Sequence, residues 1–320
     1  MKIKLSHDFG HIALIDEKVV LIRNRIRISM KNFNINPIRK ILVPTDFSAN
    51  AKNAAEYASH LAKKLDSKIL LFHSTHLPVV SANEVILAVD PMTLERDSLN
   101  HLNAIKKEIE SNFQQVEIEN ITTIGFAVEE IIAAVKDQKI DLVAMGTKGA
   151  SGMTEFLIGS NTADVIEKCH CPVLAIPAES KYRVPKKVVF ATNYADNDFQ
   201  SIYLLAEIMK PFNAEIIILH VDDNLDSKME GRMLEWFKGQ VTTNIPYDKF
   251  SFNLISSKNT IDALDIFITD NEIDILSVSM RKRNFFDKLT SRSLTRKLAY
   301  HTHIPLLAFH AYNVGGTPLF

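Results

Sequence analysis

Residues 140–160 read IDLVAMGTKGASGMTEFLIGS. The apolar run from Ile140 to Met145 has the length of a buried strand and is closed by Gly146. Glycines then fall in a fixed pattern: Gly146, two residues, Gly149, nine residues, Gly159 followed by Ser160. A helical pattern begins near Asn161 and runs to Lys168. A strand that ends in glycines and feeds a helix is a natural place for a phosphate. Glycine lets the backbone approach the anion, and the unpaired N–H groups at a helix start point toward it. The plainer reading is loop punctuation, with Ser160, Asn161 or Thr162 as an ordinary helix cap. Lys148, inside the loop, either adds charge to the site or is simply solvated.

Working outward, the same alternation of short apolar runs and helical periods extends in both directions. Lys40-Ile-Leu-Val43 reads as a buried strand closed by Pro44, and Thr45-Asp-Phe-Ser48 as a turn in which Ser48 or Asp46 caps the next helix. Alanines and leucines from Ala51 to Leu65 recur at helical spacing, and Ile69 to His73 is a second strand. A loop from His76 to Pro91 leads to a helix carrying Leu94, Leu102, Ile105, Ile109 and Phe113 on one side. A third strand follows over Glu117 to Ile121, then a helix from Val128 to about Gln138. Val173 to Ile176 is the strand after the glycine loop. Strands alternating with helices imply parallel pairing, right-handed crossovers and helices on both faces.

After Tyr182–Pro185 the programme restarts. Lys187-Val-Val-Phe190 repeats Lys40-Ile-Leu-Val43 at an offset of 147, and Thr192-Asn-Tyr repeats Thr45-Asp-Phe at the same offset. The strand ending in His73 returns as the one ending in His220. Later the offset falls to 133, pairing Ile140-Asp-Leu-Val with Ile273-Asp-Ile-Leu and Cys171-Pro-Val-Leu-Ala175 with Ile304-Pro-Leu-Leu-Ala308. This is a tandem duplication whose second copy is shorter between its second and fourth strands. The expected division is an N-terminal extension over 1–37, a first domain over 38–179, a linker over 180–186, a second domain over 187–311 and a tail over 312–320. Met30 lies just ahead of the first clear strand, which raises the expectation that translation starts there.

Composition narrows the partners. The 320 residues carry 37 Lys+Arg against 38 Asp+Glu, so no general polyanion such as nucleic acid is favoured. No apolar run reaches the roughly 18–20 residues needed to span a bilayer, and no signal-peptide layout is present, so a cytoplasmic protein is expected. Cys169 and Cys171, separated only by His170, make a poor structural disulfide and fit a reducing compartment. That short triplet supplies too few ligands for a closed metal site.

The turn ILVPTDFS (residues 41–48), the glycine signature and the closing CPVLAIP (171–177) together resemble the universal stress protein family. The two copies resemble a tandem member of bacterial type, over residues 40 to 310. The resemblance implies an α/β fold of two Rossmann-like, doubly wound domains, each a five-stranded parallel sheet of order 3-2-1-4-5. It further implies ATP or AMP, with magnesium, as a regulatory ligand in the first domain. The family's ATP-binding pattern falls on Gly146, Gly149, Gly159 and Ser160. Asp46 would lie near the adenosine, with Pro44 and Thr45 shaping its turn and Lys148 and Asn161 beside the phosphates. The domains are expected to pair through their last strands, Val173–Ile176 and Leu306–Phe309, within one chain or as in a homodimer.

The second copy departs from this pattern. Gly146, Gly149 and Gly159 become Ser279, Lys282 and Arg292; Ser160 alone keeps its type, as Ser293, while Asp46 becomes Asn193. One intact site per chain is therefore expected, the second copy serving as a pseudo-symmetric partner. The basic run Arg281-Lys-Arg283 reads as solvated. The loop is not a Walker A motif, and no paired carboxylates or Ser-His-Asp arrangement suggests an enzyme. A scaffold of the same fold that binds no nucleotide is the alternative, and a slow ATP hydrolase a third.

Overall fold

The computed structural model describes residues 38–76, 90–147, 159–195, 197–222, 227–280 and 303–310. The extension over 1–37, most of the loop after His76 and the basic run Arg281–Arg283 lie outside the described residues, as do Lys282, Arg292 and Ser293.

The first half runs β1 (Lys40–Pro44), α1 (Ala49–Leu65), β2 (Lys68–Thr75), α2 (Pro91–Asn112) and β3 (Ile118–Ile124), then α3 (Ala127–Asp137), β4 (Leu142–Gly146), α4 (Ser160–Lys168) and β5 (Val173–Ile176). The second half runs β6 (Lys187–Ala191), α5 (Asp198–Met209), β7 (Glu215–Asp222), α6 (Ser227–Asn244) and β8 (Phe250–Ser256), then α7 (Thr260–Asp270), β9 (Ile275–Met280) and β10 (Leu306–His310). The strands β2 and β3 continue past the apolar runs expected from sequence because their last residues pair as far as Thr75 and Ile124.

All ten strands form one sheet, in the order β3-β2-β1-β4-β5-β10-β9-β6-β7-β8. Each half therefore has the order 3-2-1-4-5 with every internal pairing parallel. The halves meet antiparallel at β5 and β10, with Leu306 opposite Ala175, Leu307 opposite Leu174 and Ala308 opposite Val173. That antiparallel seam is what a two-fold relation between two parallel sheets requires, because each presents its last strand in the opposite sense.

Side chains alternate across the sheet, so two cores form. On one face Ile41, Val43, Leu174, Phe190, Leu307 and Phe309 pack under α1, α2, α5 and α6. On the other, Leu42, Val143, Ala175, Val189, Leu306 and Ala308 pack under α3, α4 and α7. Both cores run unbroken through the seam. The stretch between β5 and β6 has neither helix nor strand, yet it is pinned to α1. Asn53 Nδ2 donates to the carbonyls of Pro177 and Ser180, Lys181 Nζ donates to Asn53 Oδ1, and Tyr182 stacks flat on His60 with centroids 4.0 Å apart.

This pin carries a pH dependence. Burial lowers the pKa of His60, partly offset by the neighbouring Glu56 carboxylate. Because the folded pKa lies below the unfolded value of 6.5, neutral His60 stabilises fully above that value, and its contribution falls as the pH drops toward the folded pKa. We expect His60→Phe to lose less melting temperature than the wild type between pH 7.5 and 5.5, by roughly 1 °C. Parallel losses in the two proteins would show that this stack does not sense protons.

The two halves match in backbone as well as in sequence. Among the described residues the non-glycine positions at positive φ are Phe47, Asp66, Lys139, Tyr194, Asn213 and Glu272. They fall into three pairs at the two repeat offsets: 47 with 194, 66 with 213, and 139 with 272. Strand registers also match, Lys40 opposite Lys68 becoming Lys187 opposite Glu215. Across β3 and β8 the offset is 132, since Ile118 and Phe250 occupy equivalent registers beside Ile69 and Ile216. The second copy thus lacks fifteen residues between its second and third strands and gains one before α7.

Candidate functional site

The strand order reverses between β1 and β4, which run side by side with Ile41 opposite Leu142. The helices after these two strands lie on opposite faces of the sheet, leaving a crevice at the strands' carboxyl ends. Its first wall is the turn after β1. Pro44 ends the strand, Thr45 is buried, and Asp46 is exposed. Thr45 Oγ1 accepts the N–H of Phe47 at 3.0 Å, and Asp46 Oδ1 accepts the N–H of Ser48 at 3.0 Å. Ser48 then caps α1 by accepting the N–H of Ala51. Of the two capping candidates, Ser48 caps the helix, while Asp46 braces the turn and keeps its carboxylate at the surface.

Phe47 sits at φ 64°, a conformation costly for an aromatic residue. Its ring packs on His73 at 4.3 Å and on His101 at 5.0 Å, which holds it there. His73 Nδ1 donates to the Thr45 carbonyl at 2.8 Å, so Nδ1 carries the proton and the ring serves to fix the turn. The second half repeats this with Thr192, Tyr194 at φ 60° and His220, whose Nδ1 lies 2.8 Å from the Thr192 carbonyl. Each histidine braces the turn beside it.

The second wall is the end of β4. Gly146 is its last residue, and Thr147 is tied to β5 through its N–H to the Ile176 carbonyl. Lys148 and Gly149 lie outside the described residues. The chain returns at Gly159, whose N–H donates to the Thr147 carbonyl. Thr162 Oγ1 donates to the Gly146 carbonyl at 2.8 Å. Both ends of the glycine loop are therefore clamped at one point beside the β1 turn.

Gly159 is the N-cap of α4 and supplies no side chain. Its φ of −59° is open to any residue, so backbone conformation does not explain a glycine there. Ser160 and Asn161 are the first residues of the helix and are exposed, and neither caps it; Thr162 has turned away to Gly146. Among the described residues no side chain caps the leading N–H groups of α4. At Gly146 the constraint is close approach: a Cβ there would stand 2.6 Å from Asn50 Nδ2, on the first turn of α1.

The sequence profile of the universal stress protein family matches residues 37–177. A universal stress protein of Methanocaldococcus jannaschii is 30% identical over 152 residues, covering 46% of this chain and 86% of that protein. The chain belongs to the universal stress protein family. One from Bacillus subtilis is 29% identical over 146 residues, covering 43% of this chain and 97% of the relative. A crystal structure of a universal stress protein from Archaeoglobus fulgidus covers 86% of this chain and 97% of its own, with a TM-score of 0.65 at 18% identity. That likeness extends over both halves and concerns the fold.

The structure brings Pro44, Thr45, Asp46, Gly146, Gly159, Ser160 and Asn161 to the carboxyl ends of two adjacent strands. Sequence reasoning missed Asn50, which reaches Gly146 from the first turn of α1. Its signal was available: an asparagine recurs at offset 147 as Asn197. Among the described residues no group of three His, Cys, Asp or Glu is placed to hold a metal ion, and no helix is long and apolar enough to cross a membrane.

Proposed function

We propose that the first half of this chain binds an adenine nucleotide, ATP or AMP, as a regulatory ligand in a stress response. The observation that carries the reading is the start of α4. Among the described residues no side chain caps this helix, which opens beside the β1 turn, and the one hydroxyl in its first turn that is buried is committed elsewhere, to Gly146. Such an end is favourable for phosphate through its leading N–H groups and the helix dipole. Gly146, Gly149, Gly159 and Ser160 would hold the phosphates, with Lys148 and Asn161 beside them. Pro44, Thr45 and Asp46 would face the adenosine. Magnesium would arrive with the nucleotide, and the cytoplasm is the compartment in which both are met. Binding acts as a signal.

Titration calorimetry with ATP and with AMP tests this. The expected stoichiometry is one nucleotide per chain, with affinity weakened at least about tenfold in Gly149→Val, or about 1.4 kcal/mol. Equal binding by both proteins, or none by either, removes the reading. A scaffold that binds no nucleotide has one observation in its favour. The second half keeps strand order, register and the strained turn without the glycines, so the fold does not depend on them.

A further inference from the structure

The second crevice is not merely short of glycines; side chains bridge its two walls. Ser279, at the place of Gly146, receives the Nδ2–H of Asn197 at 2.6 Å and lies 3.1 Å from Ser201 Oγ. Ser201 Oγ is also 3.3 Å from the carbonyl of Asn197. Asn197 and Ser201 belong to the start of α5, and Ser279 to the end of β9, so the two walls of this crevice are tied together by side chains. In the first half the same three positions hold Asn50, Ala54 and Gly146. The asparagine is kept and both hydroxyls are gone. Asn50 instead leans over the bare Cα of Gly146.

We propose that the Asn197–Ser201–Ser279 cluster is a built-in plug closing the second crevice, and that the residues at 54 and 146 decide which half of this chain admits a nucleotide. The inference rests on the nucleotide reading above. A ligand entering the second crevice would have to break hydrogen bonds already satisfied within the chain and desolvate their donors. In the first half no side chain at position 146 bridges the walls, so the polar groups of a ligand can do so. The contrast needs only a hydroxymethyl at 146 and a hydroxyl at 54, and the buried site of Ala54 is the counterpart of the equally buried Ser201.

The test is the full chain carrying Ala54→Ser and Gly146→Ser together, titrated with ATP beside the wild type and Gly146→Ala. The double variant is expected to bind at least about tenfold more weakly, with its circular dichroism and melting temperature preserved. Gly146→Ala is expected to weaken binding as well, because its Cβ would stand 2.6 Å from Asn50 Nδ2, but by less than the double variant, since it adds no bridging hydroxyl. Wild-type affinity in the double variant overturns the proposal. So does an equal loss in Gly146→Ala, which would mean that bulk alone matters. The reverse exchange, Ser201→Ala with Ser279→Gly, keeps the plug testable should the double variant fail to fold. It is expected to lower the melting temperature, and an unchanged melt overturns the plug. A wild type that binds neither ATP nor AMP is a different result, seen before any variant is made, and it fails the nucleotide reading itself.

Discussion

Leu307→Asp is expected to abolish the native fold of both halves at once. Leu307 is 2% exposed on β10, opposite Leu174 across the antiparallel seam and beside Ser277 on β9. The substitution removes a buried leucine, at about 2–5 kcal/mol. It also places a carboxylate in an apolar layer, which costs several kcal/mol more unless the group is protonated. A total of roughly 5 kcal/mol or more matches the whole stability of many domains. The more informative part is cooperativity. The core containing Leu307 runs from Ile41 in the first half to Phe190 and Ile216 in the second. Urea unfolding of the milder Leu307→Ala should therefore remain a single transition, with its midpoint lowered. Two separated transitions would show that the halves fold independently and that the seam is only a contact between finished domains.

The sequence was most legible where physics is periodic. Apolar runs of four to six residues marked the strands, and the helical spacing of alanines marked α1. The repeat offset predicted equivalences that the strand registers reproduce. Three things were hidden. Lys139 and Glu272 occupy left-handed backbone although neither residue type favours it, because the turn from α3 or α7 into the next strand demands it of whatever stands there. Tyr182 appeared to be linker composition, yet it packs on His60, and a single aromatic in an irregular stretch has no periodicity to betray that. The plug was hidden for a third reason. Its members, Asn197, Ser201 and Ser279, are distant in sequence, and their meaning depends on a strand end and a helix start being adjacent. The glycine loop was readable as a pattern, whereas the reason for Gly146, its closeness to Asn50, was not.

These cases share a logic that bears on how two matching halves come to differ. The scaffold contacts are conserved between halves because both sheets need them, so differences concentrate where the sheet does not. Thr45 and Thr192, His73 and His220, and the positive-φ pairs all belong to the shared scaffold. Gly146 and Ser279 do not. A comparison within one chain thus separates residues that hold the fold from residues free to serve a ligand.

Asp141→Ala and Asp274→Ala put that separation to a direct stability test, at the end of the sheet away from the crevice. Asp141 Oδ2 accepts the N–H groups of Arg39 and Lys40, both at 2.9 Å, at the entry to β1. Asp274 Oδ2 accepts those of Lys186 and Lys187, at 2.7 and 3.0 Å, at the entry to β6. One carboxylate oxygen therefore satisfies two backbone donors that parallel pairing leaves over, in each half alike. Hydrogen bonds to a charged group contribute about 1.5–3 kcal/mol each, and these lie near the surface, where water replaces part of the loss. Each alanine variant should lose about 2 kcal/mol in urea unfolding, with the two losses equal within error. Asn in place of either Asp keeps an acceptor oxygen and should recover about half. If Asp141→Ala is costly and Asp274→Ala is silent, the duplicated hydrogen bonds do not carry equal weight, and the second half is held by something other than the shared scaffold.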